Sequence, residues 1–375
     1  MRNVVILGAA MKRFGRYQEN MIDLGAECSL NALKDAGVQW KDIHAAYCSH
    51  VLMGVTVGEF ILMPLGPTGI PIFNVDNGCA GGTTAMILAR QAISSGIYDM
   101  VLIVGIQKMG KGVLGPEILD LPETDKIQRR MGLLSLPSKY AMIARRHMEE
   151  YGTTMEQLAQ VSVKNHKHGA LNPYSQHQQE LTLEEVIGSR MISDPLTLYQ
   201  CAPTGDGVAA LVLCAEDIAD KYSNKAKVKM AGAALCSQVY VPDDPTSIHA
   251  FTIKASREAY EMAGCGPEDL DVIELHDCFS IAEICHYENL GLCPKGDGGR
   301  LIDERATEIG GRMPVNTSGG LLSRGDPTGA TGVGQVVEIV WQLRGEAGRR
   351  QVPDAKVGLT HNLTGLVCSV QVLTR

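Results

Sequence analysis

Aromatic side chains are scarce in this chain: five Phe, eleven Tyr and two Trp among 375 residues. A core must therefore be built from aliphatic residues and the sixteen Met. No CxxC pair occurs among the eleven cysteines, which argues against a disulfide framework and for reduced thiols. No apolar run reaches the roughly 18 residues of a membrane span. The amino-terminal "MRNVVILGAAMKRFG" lacks the apolar stretch of a signal peptide, so a cytoplasmic protein with no membrane partner is expected. A basic stripe is also missing: 42 acidic residues face 34 basic ones, for a net charge of -8. Nucleic acid is thus an unsupported partner, and an anionic ligand would need a local basic pocket.

What is present is a length suited to two domains or two related halves. "VVILGAAM" at 4–11 is similar to "VKMAGAAL" at 228–235, and "ALKDAGVQWKDIHAAY" at 32–47 to "AYEMAGCGPEDLDVIE" at 259–274. Gly8 answers to Gly232, Gly37 to Gly264 and Asp42 to Asp269, at nearly constant spacing. Each copy reads as strand, helix, an Ala-Gly stop, an acidic turn and a second strand. Each half also launches a helix from a glycine-rich turn, "CAGGTTAMILARQAISSG" and "GATGVGQVVEIVWQLRG". The pattern predicts an α/β protein with parallel-rich sheets covered on both faces. The boundaries expected are 1–225 and 226–375. Residues from about 110 to 200 break the rhythm and read as an inserted loop region that covers substrate.

Cys79, in "NVDNGCAGG", follows the strand-like "IFNV" and precedes a helical run. Backbone N–H groups and the helix dipole there favour a thiolate, and Gly78, Gly81 and Gly82 let a substrate approach. That setting suits an acyl-accepting nucleophile. Taken alone, a small buried thiol at a strand–helix junction would look the same.

In "VIELHDCFSIAEICHYENLGL", His276 and Cys278 follow an apolar strand, on the side where open α/β sheets bind ligands. His276 can hydrogen-bond an oxyanion, and Cys278 can exchange protons with a carbon acid. A zinc set of His276, Cys278, Cys285 and His286 fails on spacing, because adjacent helical residues point apart. No metal is expected. "PVNTSGGLLSRGDPTGATGVGQ" at 314–335 delivers glycine turns to a cleft but matches neither GxGxxG nor GxxxxGK[ST]. "LTHNLTG" at 359–365 ends another apolar strand.

Together, "NGCAGG", "VKNHKHGALNPYSQ", "CAPTGDGVAALVL", "HDCFSIAE", "NTSGGLLSRGDPTGATG" and "HNLTG" resemble the thiolase superfamily over nearly the whole chain, and "HDCF" its sterol-carrier-protein-type and archaeal-type branch. The resemblance implies a five-layer α-β-α-β-α fold of two duplicated βαβαβαββ halves, usually a homodimer. It implies that Cys79 takes the acyl group from coenzyme A, here a substrate, and that His276 helps bind the thioester oxygen. Cys278 becomes the acid/base cysteine, since Asn362 stands where other thiolases carry theirs. One departure is plain: Gly325-Asp326-Pro327 replaces the usual Gly-His-Pro. A carboxylate there opposes thiolate formation at Cys79. Asp326 is then a protonated acid, or it points away and His276 is the base, or the reaction differs.

The resemblance further implies coenzyme-A-dependent cleavage of a β-ketoacyl-CoA, or the reverse condensation, on a specialised aromatic (benzoylsuccinyl-CoA-like) or steroid-type substrate. It also implies a small OB-fold/zinc-ribbon partner that would give a heterotetramer. Retro-aldol cleavage of a β-hydroxyacyl-CoA and a non-catalytic subunit of a heteromer are the alternatives. His166 and His168 are expected to border or shape the substrate pocket. Lys108, Lys111, Arg129 and Arg130 are candidates to meet coenzyme A phosphates.

Overall fold

The computed structural model describes residues 2–109, 130, 135–239 and 250–375. Its strands in chain order are β1 (Val4–Met11), β2 (Ala45–Ser49), β3 (Ile72–Val75), β4 (Met100–Gln107), β5 (Met191–Ser193), β6 (Leu196–Thr197), β7 (Gly207–Ala215), β8 (Val228–Ser237), β9 (Val272–Glu274), β10 (Val357–Leu363) and β11 (Val367–Thr374). Nine of them align in the order β3-β2-β4-β7-β1-β8-β11-β10-β9. The order reads outward from the centre identically in both directions: β1 and β8 meet, then come β7 and β11, β4 and β10, β2 and β9. Outside β9, Val315 bridges Ile273 in parallel where β3 flanks β2 in the other half. Within the sheet, β1 and β8 pair antiparallel through Val5–Lys229 and Ile6–Val228.

Strand β4 explains the layering. Val101 and Ile103 enter one core with Ala85, Met86, Val333 and Val336. Met100, Leu102 and Val104 enter another with Leu24, Cys28 and Ala32. Successive side chains of a strand point to opposite faces, so a continuous apolar run means burial on both. Helices Gly81–Ser94 and Thr328–Arg344 fill the space between the two half-sheets. Helix Met21–Ala36 covers β1 and β7 from outside, and helix Ala250–Ala263 covers β8 and β11. The result is the expected five layers.

The repeat is preserved in detail. Gly37 and Gly264 end the outer helices in the left-handed region, at φ 72° and 70°. Asp42 and Asp269 then accept the backbone N–H of Gln39 and Gly266, each at 2.8 Å. Gly8 and Gly232 are where each strand touches its outer helix: an added Cβ would lie 2.1 Å from the carbonyl oxygen of Ala32 in one half and 2.1 Å from that of Ala259 in the other. Backbone cannot yield as a side chain does. Gly8→Ala and Gly232→Ala are each expected to destabilise by about 1–3 kcal/mol or more through overpacking. Urea unfolding checks this, and two unchanged midpoints would refute the contact.

Two expectations are corrected. The sheet is mixed, not parallel-rich: among the described residues only strands β2–β3, β2–β4 and β9–β10 pair in parallel. Strands β7 and β11 run antiparallel to both of their neighbours. Apolar runs report burial of both faces, not strand direction. The region read as an inserted loop is largely helical where described, with helices Leu136–Tyr151, Met155–Gly169 and Leu183–Ile187 and the β5–β6 hairpin. Its signals were capping boxes, Thr154 with Gln157 and Thr182 with Glu185. Residues 110–129, 131–134 and 240–249 lie outside the described residues.

Candidate active site

Cys79 ends a tight turn. Gly78 has φ 56°, its carbonyl accepts the Gly81 N–H at 2.9 Å, and helix Gly81–Ser94 starts at once. A side chain on Gly78 would strike Thr364 of the loop after β10, so this turn and that loop are closely packed.

Asp326 precedes the other central helix, Thr328–Arg344. The two helix starts meet because neither carries bulk there. A Cβ on Gly82 would come within 3.0 Å of the Val333 nitrogen, and one on Gly332 within 3.2 Å of the Thr83 nitrogen. This reciprocal close approach brings the Cys79 and Asp326 turns, far apart in the chain, to one point.

The third element is the segment after β9. Buried Asp277 accepts the N–H groups of Leu321 (2.7 Å) and Leu322 (3.2 Å), anchoring the short helix Gly320–Arg324 that leads to Asp326. Burial and nearby Glu283 push the Asp277 carboxyl up to about 8. His276, also buried, has Nδ1 3.4 Å from Asn362 Nδ2, which in turn donates to Gln335 Oε1 at 2.8 Å. The ligand atoms of Cys79, His276 and Asp326 all lie within 4.8 Å of one another. Asp326 therefore does not point away. Thr331 Oγ1 donates to its Oδ1 at 2.6 Å.

At Cys79 the turn's preference for a thiolate is opposed by burial. Burial pushes this thiol well up, and the charges of Asp326 and Cys278 act in the same direction. Backbone hydrogen bonding at the turn opposes the shift but is the smallest influence. Desolvation wins because a thiolate loses more water than the first helical turn replaces. Burial also pushes His276 down; Asp326 partly offsets this and Arg324 reinforces it. The resting pair is thus a thiol beside a neutral imidazole. The Asp326 side chain lies against both groups.

Cys278 is close enough for its charge to be felt at Cys79. Burial pushes its thiol up, while the Tyr140 hydroxyl favours the thiolate. The Tyr140 ring stacks on Phe279, centroids 4.6 Å apart. Tyr140 carries no motif and sits in the region read as insertion, so nothing in the sequence marked it. Gln335 was visible only as part of a glycine-rich string.

His166 and His168 are buried and tied to backbone groups. His168 meets the Asn316 carbonyl at 3.0 Å and accepts the Ile309 N–H at 3.1 Å, and His166 meets the Gln179 carbonyl at 3.2 Å. Burial holds them down, His168 to about 3 and His166 to about 4. The Lys108 amine donates to the Tyr17 carbonyl at 3.0 Å. Arg130 is an exposed helical residue, and Lys111 and Arg129 lie outside the described residues.

Among the described residues no helix is long and apolar enough to cross a membrane. Residues 4–217 match the model of the thiolase N-terminal domain, and residues 231–374 that of the thiolase C-terminal domain-like family. An acetyl-CoA acetyltransferase of Methanothermobacter thermautotrophicus is 41% identical, with 100% of both chains covered. Human sterol carrier protein 2 is 42% identical over 97% of this chain and 70% of its own. The benzoylsuccinyl-CoA thiolase subunit BbsB of Thauera aromatica is 36% identical over 98% of this chain and 96% of its own. Among solved structures, an Ltp2-ChsH2(DUF35) aldolase superposes with TM-score 0.87 at 26% identity, covering 99% of this chain and 97% of that one. The Acat5 thiolase of Ascaris suum, in complex with coenzyme A, superposes with TM-score 0.75 at 18% identity, covering all of both chains. With both halves matched and relatives this similar along its whole length, the chain is a thiolase-family enzyme.

Proposed function

We propose that this enzyme cleaves a β-ketoacyl-CoA with coenzyme A, or runs the reverse condensation, through an acyl group on Cys79. The observation that carries the reading is the convergence of Cys79, His276 and Asp326 within 4.8 Å at two facing helix starts, with Cys278 beside them. In the cleavage direction the Cys79 proton passes to His276 as the sulfur bonds to the β-carbonyl carbon. The Cα–Cβ bond then breaks, and its electron pair becomes an enolate thioester. The Cys278 thiol protonates the α-carbon. Incoming coenzyme A gives its thiol proton to the Cys278 thiolate and takes the acyl group, and Cys79 recovers its proton from His276. A covalent acyl-cysteine divides a difficult step in two. Preorganised donors around the enolate lower the barrier further.

The coenzyme A bound to the Acat5 thiolase supports coenzyme A as substrate, and the benzoylsuccinyl-CoA thiolase subunit supports a specialised aromatic acyl group. The DUF35-containing aldolase, and the description of BbsB as a subunit, support a partner subunit, which we take to be a small OB-fold/zinc-ribbon protein joined to a homodimer of this chain. We place the enzyme in the cytoplasm and the division between halves at 225/226.

Retro-aldol cleavage is a second reading, favoured by one observation. A carboxylate at position 326 accepts hydrogen bonds and repels a carbonyl oxygen, which suits a β-hydroxyl. The structural neighbour described as an aldolase supports it.

Acyl-enzyme trapping separates the two. Incubation with isotopically labelled β-ketoacyl-CoA, acid quench and peptide mass spectrometry are expected to find label on the Cys79 peptide. Active protein that never acquires label there would discard the acyl-cysteine route. Cys278→Ala is expected to retain Cys79 acylation while exchange of α-protons of acetyl-CoA with deuterated solvent falls by about 10²-fold. Unchanged exchange would remove Cys278 from the proton step.

A further inference from the structure

The donor set at the nucleophile is one that binds metals. A thiol, an imidazole and a carboxylate present ligand atoms within 4.8 Å of one another, and among the described residues no other trio of His, Cys, Asp or Glu does so. A tetrahedral zinc site, with bonds of about 2.3 Å to sulfur and 2.0–2.1 Å to nitrogen and oxygen, needs its ligand atoms about 3.3–3.6 Å apart. Closing from 4.8 Å asks for side-chain shifts of about 1 Å. Cys79 and Asp326 are partly buried, and His276 is buried.

Charge balance favours the same ion. A Cys79 thiolate and the Asp326 carboxylate together neutralise a divalent cation, which removes the repulsion each exerts on the other. Mixed sulfur, nitrogen and oxygen donors suit zinc rather than magnesium or calcium, which take oxygen alone. One supporting contact is in place: Thr331 Oγ1 donates to Asp326 Oδ1 at 2.6 Å. Such outer contacts fix ligand orientation. Three protein ligands leave a fourth position for water.

We propose that Cys79, His276 and Asp326 form a reversible inhibitory site for a zinc-class divalent cation, held by the same three groups that carry the reaction. Binding forms a metal–sulfur bond and releases the Cys79 proton to solvent. It occupies the sulfur lone pair and the imidazole nitrogen, so neither nucleophile nor base is free while the ion stays. The substitution of Asp for His at 326 matters here, because a carboxylate supplies the second negative charge.

The test reads binding rather than turnover, so it stands whether the enzyme proves a thiolase or a lyase. Cobalt(II) is titrated into the intact protein after removal of adventitious metal. One equivalent is expected to produce a thiolate-to-cobalt charge-transfer band and the intense visible bands of tetrahedral cobalt, both bleached by zinc. Zinc is expected to slow iodoacetamide labelling of the Cys79 peptide at least about 10-fold, and a chelator to restore it. Cys79→Ala is expected to lose the charge-transfer band, and Asp326→Asn, with the thiol intact, to weaken zinc binding by about 10–100-fold. A charge-transfer band that persists in Cys79→Ala would assign the metal to another cysteine and overturn the proposal. So would zinc that leaves Cys79 labelling unchanged, or an Asp326→Asn protein that binds zinc as tightly as the parent.

Discussion

Cys79→Ala is expected to lower kcat/KM for coenzyme-A-dependent cleavage by about 10⁴-fold or more. That corresponds to about 5.4 kcal/mol of lost transition-state stabilisation. The loss should be that large because no neighbour can substitute. Cys278 is the other thiol at the site, and burial pushes it up as well, so it offers almost no thiolate at neutral pH. It also follows β9 on a different segment, fixed by the Ala202 N–H to its own carbonyl at 2.9 Å. The variant should fold normally, because replacing a half-buried thiol by a methyl removes little volume. Steady-state thiolysis measures the loss, and urea unfolding confirms the fold. A folded Cys79→Ala protein that keeps a tenth of the parent activity would show that no acyl-cysteine forms.

Asp326→Asn is expected to move two observables in opposite directions. The carboxylate opposes the Cys79 thiolate and favours the His276 imidazolium. Removing its charge lowers the Cys79 pKa, so the midpoint of iodoacetamide alkylation moves to lower pH. At neutral pH the variant's Cys79 should therefore alkylate faster. Turnover should nevertheless fall by about 10²-fold, because the imidazolium formed as His276 takes the proton has lost its counter-charge. Asp326→His restores a ring able to donate and should fall less on a β-keto substrate. If neither variant alters the rate or the alkylation profile, Asp326 lies outside the reaction.

The residues of the site were legible, but their protonation states were not. "NGCAGG", "HDCF" and the "GDP" departure each stand out as strings, and the structure brings Cys79, His276 and Asp326 together. Helix-start chemistry at Cys79 nonetheless pointed to a thiolate, whereas burial between two half-sheets reverses the balance. Desolvation depends on what surrounds a group from every side, and a local string holds only two neighbours of each residue. The same limit hid Tyr140, which reaches Cys278 from a helix more than a hundred residues away in sequence.

The sequence by itself determined the duplication, because Gly8 and Gly232, Gly37 and Gly264, and Asp42 and Asp269 each answer a local backbone demand repeated in both copies. It also determined which segments are buried on both faces, since a continuous apolar run has no other stable setting. Only the tertiary structure decided strand direction, because antiparallel β7 and β11 are as apolar as their parallel counterparts. Only it decided the site, because Gly82 and Gly332 let two helix starts approach to backbone contact. That contact places a carboxylate against a thiol, and the cost of charge in that water-poor space then sets which proton moves.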